Sequence, residues 1–505
     1  MKALTTIPSL ARTAIAAVLV LVLAGCTLTP IEHRPDVNVP AAYREADAQG
    51  ASAAVPGEEL GQWVPAQPAD EQKPSPWWTT FGDPVLVQLE EHALGANPDV
   101  AIAMARIKQS RALASRAEAA RYPSLDAGFG PSRQRTSGAA AFRGDGSAAD
   151  TQTLWRAQAT FAYEADVFGR VSSDVAAARA TSAQQQALSH QMLLIVQADV
   201  ASTYFTLRQI EGERRILVDA VKIREEGVAL LQRKRDLGAV AAVVVDQAQA
   251  ELSAARAEQA TVEQDYALTH HALAVLLGQT PAAFTLDVTP LQNVSVRVAE
   301  DLPSTLLERR PDVAAAERAM AADNARIGVA RAAFFPSLSL TGSLGYESNS
   351  LGNLTNWSQR TFLLGPLVGT ALNLPIFDGG RRKADVARAR ADYEESVGAY
   401  RHVVLRAFRE VEDALASTRT LDTRLINERD AEDASARVAA TAQTRFDEGD
   451  ADYLAVVDAE RTLLRNRQSR LQAEGARVRA TVDLVRALGG GWHATETEGR
   501  RHERL

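Results

Sequence analysis

The sequence predicts an α+β fold built as a tandem repeat, each copy joining a pair of strands to a long helical hairpin. Three observations lead there. Short motifs recur at a near-constant offset, a period of 3.5 fills two long proline-free blocks, and a period of 2 fills the segments before them. Asn97-Pro98-Asp99-Val100 returns as Arg310-Pro311-Asp312-Val313, and Tyr122-Pro123-Ser124-Leu125 returns as Phe335-Pro336-Ser337-Leu338, both at offset 213. Gly238 and Gly449, like Leu277-Gly278 and Leu488-Gly489, are related by 211. The copies run over 84–280 and 303–490, joined by a link at 281–302.

Residues 1–25 read as a signal peptide. Lys2 and Arg12 precede an apolar run, Ala14 to Ala24, that is too short to span a bilayer as a helix. The run ends in Leu23-Ala24-Gly25-Cys26, and Cys26 is the only cysteine, so an internal disulfide is excluded. The segment resembles a bacterial lipobox, and that resemblance makes Cys26 the expected site of lipidation and the expected mature N-terminus. Thr27 follows it in place of an aspartate, which favours the outer membrane as destination. Beyond this point no run of 18 apolar residues occurs, so a membrane crossing would have to be a closed β-barrel.

The next segment, 26–83, holds a cluster of prolines and reads as irregular chain on a surface. Thirteen of the twenty prolines lie at or before Pro131, whereas 132–280 and everything after Pro375 have none. Because proline breaks helices, those two blocks are where long helices fit. Strands are expected at about 122–168 and 335–377. In Trp155, Ala157, Ala159, Phe161, Tyr163, Ala165 and Val167 each odd position is apolar, while the even ones are mostly polar. Leu338, Leu340, Leu344 and Tyr346 alternate with Ser337, Ser339, Thr341, Ser343 and Glu347 in the same way, and alternation is weaker near 362–376. Gly/Ser/Asn-rich loops separate the strands at Gly138–Asp150 and Ser348–Arg360.

Helical hairpins follow at about 171–278 and 381–489. Val397, Tyr400, Val404, Ala407, Val411, Ala414, Thr418, Leu421 and Leu425 form a heptad seam. Its mates at offset 211, from Leu193 through Leu217, keep the seam with Arg214 as the break. Each outgoing helix would reach roughly 100 Å at about 1.5 Å per residue. Gly238 and Gly449 read as C-cap glycines at which the chain turns back. The first turn has no Ser or Asp to cap its return helix. A tail, 491–505, closes the chain.

One chain thus supplies four strands, too few to enclose a lumen, so transmembrane strands would require an oligomer. Formal charge is −8, and removing the signal peptide makes the chain more acidic still, which excludes nucleic acid as a partner. No phosphate loop, catalytic carboxylate pair or Ser/His/Asp arrangement is present in the sequence, so no enzyme, cofactor or metal is expected. His270 and His271 are helical neighbours about 100° apart and cannot share a metal.

The chain resembles the outer-membrane factor family of TolC-like channels, and within it the acylated NodT-type efflux lipoproteins. The marks are the lipobox at Cys26, Trp77-Trp78-x-x-Phe81-Gly82-Asp83-Pro84, the two duplicated tetrads, and Leu374-Pro375-Ile376-Phe377-Asp378-Gly379-Gly380-Arg381. That resemblance implies a homotrimer with a twelve-stranded outer-membrane β-barrel continued by a long α-helical periplasmic barrel, and an equatorial collar. It implies a passive exit duct of a tripartite efflux system, working with a periplasmic adaptor (membrane fusion) protein and an inner-membrane pump. On that view Trp77 and Trp78 anchor the collar, Gly238 and Gly449 mark the adaptor-contacting turns, and Leu454 and Asp458 line the periplasmic gate. Those two lie four apart, hence on one helix face; Asp246 is the repeat mate of Asp458. The family's tyrosine and arginine lock positions hold Phe446 and Ala451 here, so closure is expected to rest on other contacts. The alternatives are a duct for protein or peptide secretion by a type I system, or a lipid-anchored periplasmic coiled-coil scaffold. The scaffold leaves the matched alternating strands unexplained.

Overall fold

A computed structural model describes residues 29–30, 35, 43–47, 76–135, 151–291, 309–364 and 371–490. The signal peptide, Cys26, most of 26–75, the first inter-strand loop, most of the link and the C-terminal tail lie outside the described residues. The first copy comprises α1 (Pro84–Ala96), α2 (Pro98–Ala119), β1 (Ser124–Arg135), β2 (Thr151–Ala165), α3 (Arg170–Asp236) and α4 (Ala242–Leu276). In the second copy are α5 (Pro311–Ala332), β3 (Ser337–Ser348), β4 (Arg360–Leu364), β5 (Leu372–Asn373), α6 (Arg381–Asp447) and α7 (Tyr453–Ala487). The matched helices are equal in length, 67 residues for α3 and α6 and 35 for α4 and α7. No described helix is long and apolar enough to cross a membrane.

The chain divides into two compact units. The first contains the sheet, with strand order β1-β2-β3-β4 and the two-residue β5 also paired to β3. All pairs are antiparallel. Register puts Phe129 opposite Ala157, Ala157 opposite Tyr346, and Tyr346 opposite Arg360. Directly opposed residues share a face, so Leu125, Phe129, Ala159, Phe161, Leu344 and Phe362 all lie on one side. Leu125, Phe129, Leu344 and Phe362 are 77%, 67%, 68% and 73% exposed, so among the described residues nothing covers this apolar face. The opposite face carries Asp126, Gln158, Thr160, Ser343 and Glu347, and an Arg156–Glu347 ion pair of 2.7 Å bridges β2 and β3 on it. The second copy's weaker alternation corresponds to a strand divided between β4 and β5, with 365–370 outside the described residues.

The second unit holds α1, both helical turns and most of both hairpins. The seam residues are its core: Val404, Ala407, Val411, Val200, Leu207 and Leu217 are almost fully buried. Arg214, the break in the first seam, turns aside to Glu211 (2.8 Å) and stands over the Tyr266 ring. The cross-links fix helix directions. Arg256–Glu225 and Arg214–Glu263 tie α4 antiparallel to α3. Arg461–Glu251 and Gln468–Glu258 tie α7 to α4 at one constant separation, seven residues apart, so these two return helices run parallel.

The Trp-Trp opening packs into a buried cluster of this core with Phe205, Leu273 and Val482. Trp77 meets Trp78 edge-on with ring centroids 5.9 Å apart, and Phe81 packs at 5.1 Å from Phe205 on α3. Asp83 caps α1 by accepting from the amides of Val85 and Leu86, with Pro84 at the first helical position. Its other oxygen accepts from Tyr204 Oη and Arg208, and Arg208 also donates to the carbonyls of Thr289 and Pro290. One motif therefore caps a helix and pins the start of the link.

The two copies repeat one joint. Asn97 Nδ2 donates to the Leu276 carbonyl (2.7 Å) at the end of α4, and Arg310 Nη1 donates to the Ala487 carbonyl (2.9 Å) at the end of α7. Arg310 further forks onto Asp312 and Glu410. Burial acts to raise the Asp312 carboxyl, yet the hydrogen bonds and charge of Arg310, with Arg406 behind it, hold it below the ordinary carboxylate range. The neutral joint of the first copy has become a buried ionic one in the second.

Candidate gate and helix turns

Both hairpin turns use the same backbone device. Gly238 and Gly449 have φ of 73° and 81°, the left-handed region where a side chain is strained. Their amides bond back to Arg235 and Phe446, and the next amides, of Ala239 and Asp450, bond to the carbonyls of Lys234 and Arg445. These bonds satisfy the last carbonyls of α3 and α6. The return helices start without a side-chain cap in either copy: Ala241 has none to offer, and Asp452 makes no such bond. Here the copies differ in chemistry. Arg233, Lys234, Arg235 and Leu237 precede the first glycine, whereas Asp447, Glu448, Asp450 and Asp452 flank the second.

The start of α7 is strongly two-faced. Val456, Val457 and Ala459 are buried, while Leu454 is 46% exposed and the Asp458 side chain 64%. Leu454 and Asp458 therefore lie on the uncovered side, one turn apart. Asp246, the repeat mate on α4, is also exposed. Cys26 lies outside the described residues.

A cross-link that sequence reading missed stands one turn further on. Arg461 forks onto Glu251 of α4, with Nε 2.8 Å from the carboxylate, and its third nitrogen lies 3.7 Å from Asp458. The hydrogen bond to Glu251 raises the Arg461 guanidinium, so it stays charged throughout the working range. The arrangement occurs in one copy only, because Gln249 stands at the mate of Arg461 at the offset of 212 that pairs Asp246 with Asp458. The sequence signal was a bare i, i+3 pair, Asp458 and Arg461, with the decisive partner 210 residues away. Near the turn, Phe446 packs on Tyr453 with centroids 5.4 Å apart, and Lys234 stands 5.1 Å over the Phe446 ring. These contacts join the ends of α3 and α6 to the start of α7 where the expected lock residues are absent. Glu460 is half-enclosed, and burial pushes its carboxyl up. Among the described residues no group of His, Cys, Asp and Glu is placed to hold a metal.

This geometry is a pair of parallel return helices held by polar links, with an uncovered strip at their starts, and nothing in it resembles a reaction centre. Comparison with known proteins agrees on the class. The chain is 33% identical over 485 residues to the outer membrane protein OprJ of Pseudomonas aeruginosa, covering 94% of this chain and 95% of that one. It is 32% identical over 481 residues to the probable efflux pump outer membrane protein TtgC of Pseudomonas putida, again covering 94% and 95%. Among solved structures, the outer-membrane channel OprN superposes with a TM-score of 0.80 at 29% identity, over 92% of this chain and all of that one. The family model for outer membrane efflux proteins matches residues 89–279 and 302–490, one match per copy, and the chain belongs to that family.

Proposed function

We propose that three copies of the chain form one passive exit duct for small molecules, which a periplasmic adaptor opens and an inner-membrane pump supplies. One observation carries this reading: a single chain holds a sheet of four strands plus the two-residue β5, and among the described residues one face is apolar and uncovered and β1 and β4 have no partner on their outer edges. An apolar sheet face wants lipid, and a sheet edge wants a partner strand. Three chains joined edge to edge satisfy both demands and close twelve strands around the polar face. Four strands alone enclose nothing.

The long hairpins then continue the duct into the periplasm, and acylation of Cys26 tethers the trimer to outer-membrane lipid beside the barrel. The Gly238 and Gly449 turns are the adaptor's contact points. Three Leu454 side chains resist wetting at the narrowest point, and three Asp458 carboxylates repel anions there. The Arg461–Glu251 fork holds α7 against α4 in the closed state. Opening requires the start of α7 to swing away from that fork. Light scattering or native mass measurement of the full chain in detergent tests the assembly. A mass of three chains is expected; a stable conducting monomer would overturn it.

A further inference from the structure

Every acid described on the sheet, Asp126, Glu164 and Glu347, lies on its polar face. On the apolar face the described residues include no acid at all, yet three arginines stand there: Arg133 and Arg135 on β1 and Arg360 on β4. All three belong to the same end. β1 leaves α2 at Ser124 and β2 returns to α3 after Ala165, so Arg135 and Thr151 mark the end away from the helices. Arg360 opens β4 at that end as well. The arginines are exposed, and no described carboxylate pairs with them. Arg133 and Arg135 are about 7 Å apart, two residues along one strand. The guanidinium of Arg360 is fixed flat on the Trp357 ring at 3.3 Å, with Nε donating to the Trp357 carbonyl (2.8 Å). Below them, Phe129 stacks on Trp155 with centroids 5.9 Å apart, an aromatic band of the kind found where a barrel leaves the hydrocarbon.

Arginines on a lipid-facing surface, with no carboxylate partner among the described residues, call for an anion at that height. Guanidinium groups suit phosphate because their planar donors meet its oxygens in pairs. We propose that Arg133, Arg135 and Arg360 form a binding site for the phosphate groups of an outer-leaflet phosphoglycolipid. This rests on the trimeric reading, in which β1 of one chain closes against β4 of the next. Each seam is then flanked by the Arg133–Arg135 pair on one side and Arg360 on the other, giving three sites per trimer. The lipid would staple the seam from outside and order a ring of lipid around the barrel.

The test uses the full chain in detergent, as wild type, as an R133Q/R135Q/R360Q variant, and as R156Q, which breaks an ion pair on the polar face only. Each is mixed with bisphosphorylated hexa-acyl lipid A, with the same lipid lacking phosphates, or with phosphatidylglycerol, and retained lipid is measured by native mass spectrometry. Wild type and R156Q are expected to retain at least tenfold more of the bisphosphorylated lipid than of the other two, and the triple variant to lose that preference. Equal retention by the triple variant, or equal retention of phosphatidylglycerol by wild type, overturns the proposal. If the triple variant does not assemble, R135Q carries the test with a loss of about threefold expected and no loss overturning it. Unheated gel migration of the same samples reads assembly separately, so a monomeric wild type refutes the trimer without deciding the lipid site.

Discussion

Glu90 gives the sharpest stability test in the second unit. It lies on α1 among Leu86, Leu89 and Ala93, is fully buried, and neither carboxylate oxygen has a partner among the described residues. Burial pushes its carboxyl up to about 9 from 4.5. The folded chain therefore holds a proton at neutral pH that the unfolded chain releases. Stability from this group is complete below about 4.5 and falls as pH rises towards 9, because the folded state binds the extra proton. At pH 7 the loss is about 3 kcal/mol, from about 1.4 kcal/mol for each pH unit above the unfolded value. Glu90→Leu removes that loss and also removes two unsatisfied oxygens, worth a further ~1–3 kcal/mol. Denaturant unfolding in detergent, read by the fluorescence of the neighbouring Trp77 and Trp78, should show Glu90→Leu more stable at pH 7 by about 4–6 kcal/mol, with about 3 kcal/mol of that gain gone at pH 4.5. A destabilised variant, or a gain that does not change with pH, would refute the picture of a neutral, unpartnered acid.

The remaining predictions concern the joints and the sheet. Arg310→Ala should cost about 3–5 kcal/mol in the same unfolding assay, since it strands Asp312 and the Ala487 carbonyl in a buried site. Asn97→Ala, at the neutral joint of the first copy, should cost only about 1–2 kcal/mol; equal costs would contradict the contrast between the joints. Gly345→Val should abolish assembled trimer on unheated gels, because a Cβ there would meet the Ala157 carbonyl and the Gln158 backbone across the β2–β3 pair. Gly128→Val, with open space at its Cβ, should assemble normally.

Much of this architecture was legible because two copies shared one sequence error margin. A heptad seam in α6 alone would have left its length open; the same seam at offset 211 in α3 required helices of equal length, and both have 67 residues. Strand β2 was legible because one of its faces is apolar and the other mostly polar, which writes a period of 2 into Trp155 through Ala165. The fourth strand was faint because β4 has only five residues, and its Phe362, Leu363 and Leu364 form an apolar run with no alternation in the sequence. The Arg461–Glu251 fork was out of reach, since helix periodicity says which face is apolar but not which helix lies against it. Glu90 was missed for a different reason. Its position, four after Leu86 and three before Ala93, falls on the apolar stripe of α1, yet beside Glu91 it reads as an ordinary surface acid.

On the proposed function the duct closes at the start of α7, and single-channel recording of the full chain in planar bilayers decides whether it does. Asp458→Ala should raise conductance and weaken block by multivalent cations, Leu454→Ala should leave the closed duct leaky, and Asp246→Ala should match wild type. Arg461→Gln, which releases α7 from Glu251, should lengthen openings without changing cation block. If the Asp458, Leu454 and Arg461 variants all conduct like wild type and like Asp246→Ala, the constriction is elsewhere and the exposed strip on α7 is only a solvated helix face.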